Sequence, residues 1–333
     1  MDTLLVEGFE KLIQGVCSSD VVRQAERSLD VAALWSEIDA SGYLDLLVPG
    51  EGDGGLREAF ALWLACGAQA LPLPLAQTMW ARGLLGAQAP RGPMALADRV
   101  CREADGRLRC AGVPFGAVAA ALLLRTPDGD LRCVPLAQAE VQRSGVHGSL
   151  QADIVLPARP EDALPLPAGA DLQAAGALMT ATLMAGALQR VLAITLQYAN
   201  DRAQFGKPIG KFQAVQQQLS VLAEQAFAAR MAAELACAEN GLSPQRLRAA
   251  VAKARAAEAA EKSVAIAHAV HGAIGITAEF DLQLLTRRLQ EWRGDHGSAS
   301  FWHGELGRAL VAAQGRTVPF LLDVLLPASA ERP

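Results

Sequence analysis

The feature that most restricts how this 333-residue chain can fold is AAGALMTATLMAGALQRVLAITLQYANDR, residues 174–202, which holds no proline and only two glycines. Alanine and leucine dominate it, and both are strong helix formers. Two further stretches behave alike. FQAVQQQLSVLAEQAFAARMAAELACA places Phe212, Val215, Leu219, Leu222 and Ala226 on one helical stripe. SPQRLRAAVAKARAAEAAEKSVAIAHAVHG offers Ser243 and Pro244 as N-cap and first-turn residues and is expected to stop near Gly272. Alanine-rich helices of this length pack closely, so residues 166–333 are predicted to form a helical bundle.

The rest of the chain carries two other patterns. Residues 1–92 read as a helical region. Leu34, Trp35 and Ile38 fall at helical spacing, Gly42 can end that helix, and VPGEGDGG at 48–55 is a loop by its glycines. LREAFALWLACGAQAL resumes an apolar helix, which the prolines of LPLPL at 71–75 cannot continue. Residues 93–165 hold short apolar runs punctuated by turn signals at 105–106 and 127–129, the pattern of strands and hairpins. Within them AVAAALLL is compatible with strand or helix. Proline-rich LPARPEDALPLPAG at 156–169 reads as a linker. The predicted fold class is mainly α with a small central β domain, in the order helices, sheet, helical bundle, with no internal repeat.

With 51% hydrophobic and 20% charged residues the composition excludes disorder. A net charge of −5 gives no footprint for nucleic acid, which would need a clustered basic face. The cysteines, at 17, 66, 101, 110, 133 and 237, form no CxxC pair and sit near no histidine pattern, so reduced thiols are expected, with no metal site or disulfide framework. MDTLLVEGFEKLIQ mixes charges with apolar residues and reads as an amphipathic helix, not a signal peptide. No apolar run is read as approaching the roughly 18 uncharged residues of a membrane span. A cytoplasmic chain without membrane partners is the expectation.

Between the first two long helices lies NDRAQFGKPIGKFQ, residues 200–213. Pro208 and Gly210 break regular structure there. A guanidinium at Arg202 offers several fixed donors, and a loop entering a helix exposes free N–H groups, both of which favour an anion. Taken alone, such a segment is more often a solvated turn. A second segment, HGAIGITAEFDLQLLTRR at 271–288, has glycines at 272 and 275 that let backbone approach a ligand closely. His268 and His271 fall at helix C-terminal positions, where partial positive charge is favourable.

These two segments resemble the acyl-CoA dehydrogenase family. Arg202, Phe205, Gly206 and Gln213 match its R-x-x-F-G motif followed by a glutamine. Residues 271–288 are similar to its H-G-G-x-G-x-T-x-E segment, which leads to an arginine, here Arg287, and VPGEGDGG resembles its V-P-x-x-x-G-G loop. The resemblance spans most of the chain and is most specific in its last third. It implies FAD bound at a subunit interface, oxidation of an acyl-CoA thioester at Cα–Cβ, and an electron-transfer flavoprotein as acceptor. Through it the expected cofactor-binding residues are Arg202, Phe205, Gly206, Gln213, Gly272, Gly275, Gly297 and Ser298, with Arg202 and Gln213 reaching the flavin of a neighbouring subunit's site. The chain also departs from the family. Ala269 stands where a glutamine is usual, Ala273 replaces a second glycine, and the β segment lacks a Trp-x-Ser/Thr flavin contact, with no tryptophan between Trp80 and Trp292.

Thioester dehydrogenation needs a base for the α-proton while hydride leaves Cβ. The family's glutamate stands nine residues after the arginine matched by Arg287, which is His296 here, and Gly297 and Ser298 follow at its Gly-Thr. Some relatives place the base instead at the position of Gly176, and no acidic residue occurs between Asp171 and Asp201. His296 remains a candidate base, since histidine exchanges protons near neutral pH, with Asp295 as the alternative. A histidine in a glycine-rich loop is also readable as a surface or hydrogen-bonding residue. Glu291 and Glu305 are expected on helix surfaces, Trp292 and Trp302 inside the bundle, and Ala185 and Gly186 hint at room for an acyl chain. Two functions follow. One is an FAD-dependent acyl-CoA dehydrogenase with an unusual base. The other is a base-lacking partner subunit of a hetero-oligomer, of a kind linked to large substrates such as steroid side chains, that completes a neighbour's FAD pocket. Loss of both base positions beside retention of Arg202 and Gln213 favours the second.

Overall fold

The computed structural model describes residues 3–325 except 53, 161, 239, 240 and 315. Five helices come first: α1 (Thr3–Val16), α2 (Ser19–Ser28), α3 (Ala32–Ala40), α4 (Leu56–Ala68) and α5 (Leu75–Leu85). α1 turns Phe9 and Ile13, four residues apart, into the core. Ser18 caps α2 by accepting the Val21 N–H, with Asp20 in its first turn and Arg27 in its last, which complements the helix dipole. α3 ends just before Gly42, whose φ of 79° turns the chain as its sequence anticipates. Glu58 folds back on the Gly55 N–H at 2.9 Å to start α4.

Eight strands follow: β1 (Met94–Ala97), β2 (Val100–Arg102), β3 (Leu108–Val113), β4 (Ala121–Arg125), β5 (Leu131–Pro135), β6 (Glu140–Arg143), β7 (Ala152–Leu156) and β8 (Leu164–Pro165). They form two four-stranded sheets, ordered β1-β4-β5-β8 and β2-β3-β7-β6. β1 runs parallel to β4 and the other pairs are antiparallel. Ala95, Ala97, Leu122 and Leu124 face the second sheet, where they meet Leu108, Cys110 and Ile154. Their alternates Met94, Leu96, Ala121 and Leu123 join the helical core. The first sheet is therefore buried on both faces, which erases the apolar-polar alternation of a half-exposed strand. That is why AVAAALLL looks ambiguous; it divides into a 3-10 turn at Gly116–Val118 and strand β4. The stretch read as a linker contributes β8, a short edge strand on β5 where prolines are tolerated.

The long proline-free stretch is α6 (Leu172–Asp201), capped by Asp171, whose Oδ1 accepts the Ala174 N–H at 3.0 Å. Contrary to the expectation above, it contains a window long and apolar enough to cross a membrane, but 78% of that window is buried inside the protein, so α6 is a core helix. It packs on α4 at a crossing of two glycines. An added Cβ at Gly67 would lie 2.0 Å from the Leu183 carbonyl oxygen, and one at Gly186 1.9 Å from that of Leu64. The room attributed to Gly186 is thus filled by the backbone of α4, and Ala185 is buried.

A small hairpin of β9 (Ala203–Gln204) and β10 (Lys207–Pro208) leads to α7 (Gln213–Ala236) and α8 (Arg246–His271). α7 buries Leu219, Leu222 and Ala226 of its predicted stripe. α8 begins after the Ser-Pro signal, with Gln245 as its cap: the side-chain oxygen accepts the Arg248 N–H at 2.8 Å. A 3-10 turn at Gly272–Ile276 then leads to α9 (Leu282–Trp292), α10 (Ala299–Ala312) and α11 (Thr317–Leu325). Trp292 and Trp302 are buried in this packing, and the six cysteines are unpaired.

Candidate functional site

The break after α6 is a two-residue turn between β9 and β10. Phe205 and Gly206 both have positive φ, 50° and 80°, as a tight hairpin turn requires. The turn holds Phe205 out at 92% exposure, with its ring edge-on to Phe212 at 6.2 Å. The Ile209 N–H returns to the Arg202 carbonyl at 2.8 Å, which fixes the base of the hairpin. Arg202 itself is exposed, and its guanidinium has no carboxylate partner among the described residues.

Opposite the hairpin, α8 ends at His271 and Gly272 turns the chain at φ 64°, with nothing within 4 Å of an added Cβ. Tyr198, one turn before Arg202 on α6, binds these walls together. Its ring stacks on His271 at 4.4 Å and 23°, and its hydroxyl donates to the His271 carbonyl at 3.3 Å. Phe280 packs against both rings. Burial lowers the pKa of His271 and outweighs its hydrogen bond to the Ala267 carbonyl, so the ring in the stack is neutral at pH 7. The result is a surface cleft of about 470 Å³ lined by Tyr198, Arg202, Gln204, His271 and Gly272. Two segments far apart in sequence are thereby brought to one place. Of the predicted residues, Arg202 and Gly272 line the cleft. Gly275 is buried, where an added Cβ would meet His271 and His268 at 3.0 and 3.2 Å. Phe205, Gly206 and Gln213 stand exposed on the adjoining hairpin and helix start. Tyr198 was missed from sequence, although it is one of two tyrosines in the chain.

The segment after α9 has the opposite character. Lys253, fully buried on α8, donates to the carbonyls of Arg293 and Gly297, both at 3.0 Å, and Trp302 donates to the His296 carbonyl at 3.1 Å. The Asp295 carboxylate accepts from Gln151 at 2.7 Å. Burial pushes the Asp295 carboxyl up to about 7, although the charge of His296 acts against it. Burial likewise pulls Lys253 down to about 8, opposed by Asp295 and Asp98. His296 is buried, not on the surface. Its Nδ1 lies 3.4 Å from Asp98 Oδ2, and neither ring nitrogen has a hydrogen-bond partner of good geometry among the described residues. For Asp98, burial acts upward but contact with His296 outweighs it and holds the carboxyl below its usual range.

Gly297 and Ser298 have local roles. Gly297 has φ 105° and packs against Trp302, and Ser298 caps α10 by accepting the Phe301 N–H at 3.3 Å. Glu291, expected on a surface, has only 10% of its side chain exposed. It accepts from the Ser149 hydroxyl and pairs with Arg288 at 3.3 Å, because α9 covers the loop before β7. Glu305 is partly covered, pairing with Arg246 at 3.0 Å. Arg287 pairs with buried Glu26 of α2 at 2.7 Å and donates to the His147 carbonyl, tying three parts of the chain together. No group of three or more His, Cys, Asp or Glu among the described residues could hold a metal.

Residues 174–297, which contain both segments, match the family profile of the acyl-CoA dehydrogenase C-terminal domain. Over those residues the chain is similar to an acyl-CoA dehydrogenase C-terminal domain, and its fold is that of acyl-CoA dehydrogenases. It is 37% identical over 123 residues to the acyl-CoA dehydrogenase IpdE2 of Mycobacterium tuberculosis, a match covering 37% of this chain and 36% of that one. The chain thus spans about a third of the length of the first curated relatives it matches. The acyl-CoA dehydrogenase fold extends further. The ChsE4-ChsE5 complex from Mycobacterium tuberculosis superposes with a TM-score of 0.79 at 23% identity, over 92% of this chain and 96% of that one. A variant of the Tcur3481-Tcur3483 steroid acyl-CoA dehydrogenase gives 0.78 at 24% identity, over 93% and 98%.

Proposed function

We propose that this chain is the base-lacking subunit of a hetero-oligomeric, FAD-dependent acyl-CoA dehydrogenase, in which it completes the flavin pocket of a partner subunit. The observation that carries this reading is Arg202. An exposed guanidinium with no carboxylate partner among the described residues, facing a glycine turn across a cleft, suits a pyrophosphate. The residues fit that half of a flavin dinucleotide. Arg202 would hold the phosphates, Gly272 would let backbone come close, and the Tyr198–His271 stack would keep the walls in register. Phe205 and Gln213, exposed beside the cleft, face the partner, and Gly206 sets the turn that presents Phe205. Gly275, Gly297 and Ser298 act through packing and capping.

Bound FAD would accept hydride from Cβ of an acyl thioester. Neither candidate base is free for the accompanying α-proton: the His296 side chain is enclosed, and Asp295, which lines a pocket of about 540 Å³ with Glu291 and His268, is held by Gln151. The α,β-dehydrogenation is then carried out by the assembly, with the base supplied by the partner and an electron-transfer flavoprotein as electron acceptor. The similarity in fold to a steroid acyl-CoA dehydrogenase and to a two-protein complex supports a large acyl-CoA substrate, such as a steroid side chain, and a hetero-oligomer.

Purification with and without a second acyl-CoA dehydrogenase chain tests this. The protein alone should be colourless, and the co-expressed complex yellow, with flavin content that drops on Arg202→Ala. A yellow homo-oligomer whose flavin is reduced by an acyl-CoA, and no longer after His296→Ala, would overturn the proposal.

A further inference from the structure

Positions 176 and 296, far apart in sequence, lie side by side in the fold. An added Cβ on Gly176 would stand 2.5 Å from Cγ, 2.6 Å from Nδ1 and 2.7 Å from Cδ2 of His296, whereas non-bonded carbon atoms settle at about 3.5 Å or more. α6 admits the imidazole because the residue facing it has no side chain. His296 also sits at φ 53°, a left-handed conformation that persists in a non-glycine residue only where its surroundings enforce it. Those surroundings are visible. Lys253 pins the carbonyls on either side, Trp302 holds the carbonyl of His296 itself, Gln151 holds Asp295, and Asp98 meets the ring. The side chain has no solvent exposure. A ring so placed fills volume beside a carboxylate.

We propose that His296 is a plug: its imidazole, paired with Asp98 and seated on Gly176, fills a ring-sized chamber between β1, α6 and the segment before α10, and removing the ring reopens that chamber to a small planar ligand. For its functional meaning the plug rests on the partner-subunit reading. A chain that lends its surface to a neighbour's flavin needs no free base at this place, and the ring here is enclosed.

A thermal double-mutant cycle on the full chain tests the contact. Gly176→Ala should lower Tm in the native background, and lower it far less once His296→Gly has removed the ring. Free imidazole should raise the Tm of His296→Gly and leave the parent unchanged. Equal losses in both backgrounds, or no response of His296→Gly to imidazole, overturn the plug. Should that variant fail to fold, the unaltered chain decides. Diethyl pyrocarbonate should modify the exposed His147 and His303 and leave His296 untouched, and modification of His296 at a comparable rate overturns the proposal. None of these measurements involves flavin, so the plug can fail while flavin capture with a partner stands, and the reverse.

Discussion

The cleft at Arg202 and the segment around His296 use the same backbone device to opposite ends. Each follows the end of a helix and turns at positive φ, 64° at Gly272 and 53° at His296. At Gly272 the turn opens onto empty space; at His296 it drives a side chain into the interior. The polar groups divide accordingly. Arg202 stays solvated and has no carboxylate partner among the described residues, which leaves its donors available. Lys253, Asp295 and His296 are buried and Asp98 is largely covered, in surroundings where an unpaired charge is expensive, so they answer one another. An ionisable group that has spent its interactions internally has little left for a ligand. The contrast leaves donors available at the cleft and commits them to packing at the buried segment.

The largest effect that could break this contrast is at Lys253. Lys253→Met leaves the Arg293 and Gly297 carbonyls without their donor and removes a positive charge that acts on Asp295, and should cost about 3–5 kcal/mol in denaturant unfolding. A near-neutral result would mean the segment does not depend on its internal charges. Next comes Asp295. With its carboxyl at about 7 when folded and about 4 when unfolded, the folded chain keeps a proton that the unfolded chain has released. Its contribution to stability is therefore full below about pH 4 and lost as pH rises to about 7. Asp295→Asn should remove that slope, worth on the order of 4 kcal/mol across the window. Parallel pH-stability curves for parent and variant would contradict its burial.

On the cleft side, Tyr198→Ala should cost about 2 kcal/mol by removing a half-buried ring stacked on His271. It should also reduce flavin retention in a complex with a partner. Retention unchanged in the destabilised variant would separate the cleft from the cofactor. The smallest effect is expected at Phe205. Asparagine accepts the left-handed turn conformation more readily, so Phe205→Asn should leave the isolated chain equally stable or up to about 1 kcal/mol more stable. It should weaken assembly with the partner, as sedimentation would report. A variant that assembles as the parent does would remove the interface role of Phe205.

Much of the architecture was legible because it is local. Proline-free alanine-rich runs, the stop at Gly42 and the turn signals among the strands each depend on near neighbours. The two segments that form the cleft were also legible, through their motifs. What sequence hid depends on distant contacts. The neutral look of AVAAALLL comes from a sheet covered on both faces. The apparent room at Gly186 is taken by a carbonyl of another helix. RGDHGSAS reads as an exposed loop until Lys253 and Gly176 close over it, and Glu291 looks like a surface residue until the loop at Ser149 lands on it. Tyr198 carries no motif, and its importance appears only where α6 meets the end of α8.

The crossing of α4 and α6 has a consequence for how such a chain can change over generations. Gly67 and Gly186 each receive a carbonyl from the opposite helix, at 2.0 and 1.9 Å from where a side chain would begin. Neither can be replaced first, and replacing both at once brings no relief, because each new methyl meets fixed backbone and not the other methyl. A larger residue at either place needs the two helices to part, and α6 is held by α7, α8 and α9 as well. Descendants of this sequence can drift at its cleft and its surface, while these two positions admit no intermediate steps.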